Sequence, residues 1–183
     1  KTPVLPESAA FVVDEAHELA DRVTGQLTVS LSKSDVFSLA RLLRRQSILA
    51  TELEAAGEEL VEVLDELDEG RLEELPTPLV DSLSRMLGEL QQVREDVNDL
   101  GDKDEAATAA KSLTRGRVMA LVDVVEQLLS EDVTQGRIVP WIARDADGRS
   151  SLHAAPLDVS ASLADTLFEG KAVILTSATL EVG

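Results

Sequence analysis

Residues 79–100, LVDSLSRMLGELQQVREDVNDL, carry the pattern that decides the fold class. Apolar side chains recur along them at alternating steps of four and three: Leu79, Leu83, Met86, Leu90, Val93, Val97 and Leu100. This heptad spacing collects the apolar side chains into one seam along a helix, as in helices that pack side by side. The stretch therefore predicts a long helix that packs against other helices.

Similar patterns flank this stretch on both sides. A preceding helix is predicted from a serine cap at Ser32 or Ser34 to Leu67, with Gly57 as a point that weakens or bends it. A following helix is predicted from the seam Ala106, Ala110, Leu113, Arg117, Leu121, Val124 and Leu128. Because the intervening turns are short, the three helices are expected to form an antiparallel bundle.

The two ends of the chain have a different pattern. Ala9–Val13 and Ala172–Leu175 are short apolar runs, which are typical of buried parallel strands. Residues 137–144 and 151–157 predict a hairpin around residues 145–148, with Trp141 packed on one face. The expected fold is therefore mainly α, with a three-helix bundle inserted between two strands of an incomplete α/β domain.

Composition limits the possible functions. The formal net charge is −18, and residues 52–105 hold 19 acidic and only 4 basic side chains, which argues against a broad duplex-DNA footprint. The chain has no cysteine, which excludes disulfides, Cys-based zinc sites and iron–sulfur ligands within this segment and fits a cytosolic protein. No apolar run is long enough to span a bilayer, so no membrane partner is expected.

Asp14-Glu15-Ala16-His17 follows the first predicted strand directly. Ligands of α/β folds bind at the carboxyl ends of parallel strands, and phosphoryl transfer to water needs a carboxylate for Mg²⁺ and a group that orients the water. Asp14 and Glu15 suit these two roles. The alternative interpretation is that the acidic residues stabilise the N-terminus of the next helix.

A second motif, Leu175-Thr176-Ser177-Ala178-Thr179-Leu180, follows the last predicted strand. Alone, it is compatible with an ordinary hydroxyl-rich turn. Together and in this order, the two motifs match motifs II and III of superfamily 2 helicases. Most of the chain lies between them and much of it is helical, which resembles the DinG/XPD-like helicases, whose arch domain is inserted at this point. Residues 152–180 also resemble the return from the arch in bacterial members.

The resemblance implies a domain organisation. Residues 1–31 would form part of RecA-like motor domain 1 with the DEAH motif, and residues 32–135 the helical arch insertion. Residues 136–183 would form the return hairpin, a helix and the motif III strand of the same motor domain. The chain lacks an initiator Met and a Walker A motif, which we expect upstream, with a second motor domain downstream. The segment alone is therefore not expected to hydrolyse ATP.

The resemblance also implies an activity: an ATP-dependent 5′-to-3′ DNA helicase that acts on single-stranded or forked DNA in the bacterial cytoplasm, in DNA repair at the nucleoid. ATP and Mg²⁺ would be its cofactors, and an iron–sulfur cluster is possible in the parent protein, with ligands upstream of this segment. Asp14 would hold Mg²⁺ and Glu15 would activate water. His17 and the motif residues Ser177, Ala178 and Thr179 would couple hydrolysis to strand separation.

Basic residues on the predicted helices are candidates for DNA contacts. They are Arg41, Arg44 and Arg45 on the first helix and Lys111 and Arg115 on the third. In the implied family, single-stranded DNA passes beside the arch, where cations meet phosphates. The alternative is a solvated face paired with acidic neighbours, because exposed charge runs commonly serve solubility.

Two other function classes remain open at this stage. One is a stand-alone acidic helical module that binds protein partners, whose identity the sequence does not reveal. The other is a nucleotide-independent DNA-binding domain, against which the charge of −18 and the 2% aromatic content count. The flanking sequence discriminates among the three, because only the helicase requires a Walker A motif upstream.

Overall fold

A computed structural model describes residues 10–101, 105–170 and 172–178. The described chain is mainly helical, which confirms the predicted class. The described residues divide into two compact units: the first lies within residues 1–28 and 155–183, and the second within Val29–Ala154. Within the described ranges, no helix has the length and apolar character needed to cross a bilayer.

The first unit is built on two parallel strands. Strand β1 (Ala10–Val13) pairs with β6 (Ala172–Leu175), with Ala10 opposite Ala172 and Val13 opposite Leu175. A 3₁₀ turn (Ala16–Glu18) and helix α1 (Leu19–Leu27) follow β1. Helix α7 (Ser160–Leu163) and a π-helical turn (Ala164–Phe168) precede β6. Within the described residues both predicted terminal strands are confirmed, and the structure shows that they pair with each other in parallel.

The burial predicted for these strands is wrong in this chain. Val12 is 69% exposed, Ile174 58% and Leu175 41%. A parallel strand with a continuous apolar run is normally covered on both faces. In the described chain β1 and β6 form a two-stranded sheet, and these exposed side chains are not covered on its faces by packed helices.

The second unit combines a four-stranded sheet with helices. Strand β2 (Val29–Ser32), β3 (Gly70–Arg71), β4 (Ile138–Arg144) and β5 (Ser150–Pro156) lie in the order β2-β5-β4-β3. The β4–β5 connection confirms the predicted hairpin, and Gly148 supplies its positive φ of 77°. Trp141 stacks on His153 across this hairpin, with ring centroids 5.2 Å apart.

Between β2 and β4 the described chain contains four longer helices rather than the three predicted. These are α2 (Lys33–Arg45), α3 (Thr51–Asp65), α4 (Thr77–Asp99) and α5 (Glu105–Leu128), followed by the short α6 (Glu131–Thr134). The last two long helices match their predicted spans. The predicted first helix is wrong, because it is broken into α2 and α3 after Arg45.

A Schellman motif causes this break. Ser47 has φ 62°, its N–H donates to the carbonyl of Arg44, and the N–H of Ile48 donates to the carbonyl of Leu43. Leu43 and Ile48 are both buried, as the hydrophobic contact of this motif requires. Glycine normally marks the left-handed position, so a serine there left no clear signal in the sequence.

Helix α5 buries a face that differs from the predicted seam. Its buried side chains are Thr114, Val118, Leu121, Val122, Val125 and Leu128. Leu113 is 60% exposed and Arg117 is exposed, so the predicted seam is displaced by about one residue. The physical reason is that α5 packs against both α4 and α2, and these partners together select a β-branched face that leucine spacing did not indicate.

The core of the second unit is aliphatic and continuous. It runs from Leu31 on β2 through the buried faces of the four helices to Leu152 and Ala154 on β5. At the C-terminus of α2, the Gln46 amide donates to the Ala110 carbonyl over 3.1 Å and to the Thr114 hydroxyl. These bonds hold the end of α2 against α5.

Candidate functional site

The parallel pairing of β1 and β6 continues into the two sequence motifs. The N–H of Thr176 donates to the Val13 carbonyl and the N–H of Ala16 donates to the Thr176 carbonyl, each over 2.9 Å. The DEAH residues and the hydroxyl-rich turn therefore emerge side by side at the carboxyl ends of adjacent strands. This is the edge at which parallel α/β sheets bind ligands.

Asp14 is held in place by two hydrogen bonds to its Oδ1. Thr176 Oγ1 donates over 2.7 Å and the backbone N–H of Glu15 donates over 3.0 Å. The Thr176 hydroxyl, and after it the Glu15 amide, hold the pKa of Asp14 below its usual range. The carboxylate is exposed and ionised at neutral pH. Sequence reasoning left Thr176 out of the site residues, although the motif contains it.

An exposed, ionised carboxylate such as that of Asp14 has the chemistry of a magnesium ligand. In the described part of the chain, no three His, Cys, Asp or Glu side chains converge into a metal cage. Mg²⁺ does not need such a cage, because it commonly uses one or two carboxylates together with waters and substrate phosphates. Such an ion would neutralise charge on the transferred phosphoryl group.

Glu15 adopts a backbone conformation that is uncommon for a residue with a side chain. Its φ of 53° and ψ of 45° lie in the left-handed region, which costs a non-glycine residue about 1–3 kcal/mol and is often found at functional sites. Its side chain is 56% exposed. Glu15 thus meets the requirement that a water-orienting group reach solvent.

His17 links the two motifs. Its Nδ1 lies 2.8 Å from Ser177 Oγ and 3.3 Å from Glu15 Oε2. A proton on Nδ1 can therefore be shared with an oxygen from either motif. These are exposed side chains, and the pair His17–Ser177 joins residues 160 positions apart in sequence.

Two remaining motif residues contribute less to the observed geometry. Ala178 lies in the turn after β6 and is exposed. Thr179 lies outside the described residues. The structure thus brings together Asp14, Glu15, His17 and Ser177 of the predicted site.

The five basic residues predicted to contact DNA do not form one surface. Arg41 and Arg45 line a groove between α2 and α5, together with Arg117, which was not a candidate. Arg44 donates to Glu54, with 2.9 Å between Nη1 and Oε2. Lys111 donates to the Leu100 carbonyl. Arg115 is exposed but does not line the groove, because it lies about 200° around α5 from Arg117.

Comparison with known proteins points to helicases. No family model matches the chain. The ATP-dependent helicase DinG of Mycobacterium tuberculosis (strain ATCC 25618 / H37Rv) is 29% identical over 192 residues, which cover 100% of this chain and 28% of the relative. DinG of Mycobacterium bovis (strain ATCC BAA-935 / AF2122/97) matches to the same extent. The chain therefore spans just over a quarter of the length of these curated relatives, and the similarity supports a relationship with DinG-like helicases.

Proposed function

We propose that this chain is a segment of an ATP-dependent DNA helicase of the DinG/XPD-like type. It would run from the DEAH motif, through a helical arch insertion, to motif III of the first RecA-like motor domain. The similarity to DinG over the whole chain supports this proposal. The exposed apolar side chains of β1 and β6 support it as well, because the helices that flank the sheet of a complete motor domain would cover them.

The observation that carries the proposal is the pairing of the two motifs. His17 contacts Ser177 and Asp14 contacts Thr176 across 160 and 162 residues of sequence. Two chance matches to short motifs would have no reason to meet at the carboxyl edge of one parallel strand pair. A stand-alone acidic interaction module or a nucleotide-independent DNA-binding domain offers no explanation for these contacts.

We propose one change to the domain limits expected from sequence. The unit Val29–Ala154 includes the β4–β5 hairpin, which the sequence-based division at residue 136 assigned to the motor domain. We propose that the hairpin belongs with the arch, because β2 pairs with β5 and closes the base of the helical insertion. Residues 1–28 and 155–183 would then be the motor segments.

The catalytic roles proposed for the parent follow from the site geometry. Asp14, kept ionised by Thr176 and the Glu15 amide, would bind the Mg²⁺ of Mg-ATP. Glu15 would orient and deprotonate the attacking water, because its carboxylate is exposed beside Asp14. Without a phosphate-binding loop, the 183-residue chain alone would not hydrolyse ATP.

Coupling to strand movement would pass through His17. When Glu15 changes its interactions during hydrolysis, Nδ1 of His17 can shift its hydrogen bond between Glu15 and Ser177. Ser177, in the turn after β6, and Thr179, which follows it in the sequence motif, would transmit that change towards the DNA. We propose 5′-to-3′ translocation on single-stranded or forked DNA, with Arg115 as the DNA contact on α5. Arg44 and Lys111 are weaker DNA candidates, because Glu54 already binds Arg44 and the Leu100 carbonyl accepts a hydrogen bond from Lys111.

The experiment that tests this function uses the full-length gene product. Glu15→Gln should retain ATP binding and lower DNA-stimulated ATP hydrolysis by about 10²–10⁴-fold, as expected for loss of a general base. Glu18→Gln is the matched control, because Glu18 lies three residues away and pairs with Arg22 outside the motif. Wild-type turnover by the Glu15→Gln protein would refute the assigned role.

A further inference from the structure

The second unit has a groove between α2 and α5 that the proposed motor does not use. Its volume is about 580 Å³. Three arginines, Arg41, Arg45 and Arg117, stand along it. The rest of its lining is mainly aliphatic, from Leu39 and Leu42 on α2 and from Leu113, Ala120, Leu121 and Val124 on α5. We call this surface the α2–α5 groove.

The arginines of the groove are available to a ligand. All three are exposed, and none forms an ion pair or hydrogen bond with another residue in the described ranges. Arg44, one position from Arg45, is instead bound by Glu54. The one acidic residue of the lining, Asp35, accepts a hydrogen bond from the Ser32 backbone at the N-terminus of α2 over 2.9 Å. A protein of net charge −18 thus presents a local cationic surface.

The apolar part of the groove is also exposed to solvent. Leu113 is 60% exposed, and Leu42 and Val124 are half-buried. On α5, Leu113, Arg117, Ala120 and Val124 recur at steps of four, three and four, which places them on one face. A row of aliphatic side chains flanked by cations is the complement of an amphipathic helix with acidic flanks.

We propose that the α2–α5 groove binds an acidic amphipathic helix of a partner protein. The partner's aliphatic side chains would pack on Leu42, Leu113 and Val124, and its carboxylates would pair with the three arginines. Helix α2 has 13 residues and is about 20 Å long, so a partner helix of about 14 residues would match it. This inference does not depend on the proposed helicase activity.

Single-stranded DNA fits the groove less well. No aromatic side chain lines it, whereas proteins that bind single strands generally stack bases on aromatic rings. A second copy of this chain also fits poorly. Its acidic helices α3 and α4 carry charge, but none of the exposed large apolar side chains of the described chain lies on them. Charge and aliphatic surface together therefore favour a different protein.

The test uses the 183-residue chain and a fluorescein-labelled synthetic peptide in fluorescence anisotropy. The peptide has about 14 residues, with Leu at every third or fourth position and Glu at most others; a scrambled peptide of equal composition removes the apolar stripe. We expect saturable binding of the amphipathic peptide and at least about tenfold weaker binding of the scrambled one. No saturable binding, or equal binding of the two peptides, would overturn the proposal.

Two charge reversals on α5 locate the site. Arg117→Glu should weaken peptide binding at least about tenfold, whereas Arg115→Glu, on the same helix but outside the groove, should leave it within about twofold. Leu113→Ser should weaken binding without changing charge. Equal losses for Arg117→Glu and Arg115→Glu would mean nonspecific attraction and would refute the groove. Circular dichroism establishes that each variant is folded.

Two further measurements separate the other occupants. Binding of labelled oligothymidine that Arg117→Glu abolishes, without peptide binding, would make the groove a DNA site and overturn the proposal. A concentration-dependent dimer that Arg117→Glu dissociates would make the occupant a second copy.

A charge-swapped peptide with Lys in place of Glu should bind the Arg41→Glu/Arg45→Glu/Arg117→Glu protein better than the wild type. Failure of this rescue in a folded triple variant would also contradict the proposal.

Discussion

The close contact between α2 and α3 predicts how the substitution Gly57→Ala changes the free energy of unfolding. Gly57 lies buried in α3, and a Cβ built on it would come within 2.8 Å of Val36 Cγ1 and 3.2 Å of Val36 Cβ. Val36 is fully buried on α2, so it has little room to move. Gly57→Ala should therefore force the two helices apart or Val36 off its rotamer.

Two opposing effects set the net change in the free energy of unfolding. Overpacking a core position costs about 1–3 kcal/mol. Replacing glycine by alanine inside a helix stabilises it by about 0.8–1 kcal/mol. The expected net destabilisation is therefore about 0–2 kcal/mol, which corresponds to a fall in Tm of up to about 8 °C for a chain of this size.

Two control glycines separate these effects. Gly88 on α4 and Gly116 on α5 are exposed, and a Cβ on either would meet no atom within 4 Å. Gly88→Ala and Gly116→Ala should each stabilise the chain by about 1 kcal/mol. Because the helix-propensity gain is common to all three variants, their difference from Gly57→Ala isolates the clash, at about 1–3 kcal/mol.

The assay is urea unfolding of the 183-residue chain followed by far-ultraviolet circular dichroism. A double-mutant cycle adds Val36→Ala, which removes Cγ1 but keeps Cβ; in that background Gly57→Ala should have a smaller penalty. If Gly57→Ala raises stability as much as Gly88→Ala does, the close approach of α2 and α3 is not what the structure indicates. The position of α2, and with it that of Arg41 and Arg45, would then need revision.

Three further predictions concern single side chains. In the proposed helicase, His17→Ala should preserve much of the ATP hydrolysis but reduce DNA unwinding, because it removes the link to Ser177; equal loss of both activities would argue against a coupling role. The hydroxyl of Ser82 is buried without a hydrogen-bond partner in the described chain, so Ser82→Ala should leave stability unchanged or raise it by up to about 1–2 kcal/mol in urea unfolding; a marked loss would reveal a partner. Burial lowers the pKa of His153, so an NMR titration should give a midpoint below about 6.5. Neutral His153 therefore contributes to the free energy of unfolding. Its contribution is complete above about pH 6.5 and is lost as the pH falls through the folded-state pKa, and a variant His153→Gln should lack this loss.

Local sequence patterns were sufficient to predict several parts of the molecule. The seam of residues 79–100 predicted α4, and the turn at residues 145–148 predicted the β4–β5 hairpin. The apolar runs at both ends predicted β1 and β6, and the residues after them identified Asp14, Glu15, His17 and Ser177 as a candidate site. These features depend on neighbours a few positions away, which the sequence displays directly.

Other features depended on tertiary contacts. The break between α2 and α3 depends on the burial of Leu43 and Ile48 and on the backbone hydrogen bond between them, and no glycine in the sequence indicated it. The buried face of α5 was decided by helices α2 and α4, because an isolated helix with aliphatic residues on several faces has no preferred one. This choice exposes Leu113 and Arg117 and so creates the α2–α5 groove.

The candidate site divides in the same way between sequence and structure. The sequence by itself determined which residue types end each terminal strand, because strand propensity and motif chemistry are local. Only the tertiary structure decided that Thr176 holds Asp14 and that His17 meets Ser177. These contacts span more than 150 residues, and they form because the parallel pairing of β1 and β6 brings two distant turns to one edge.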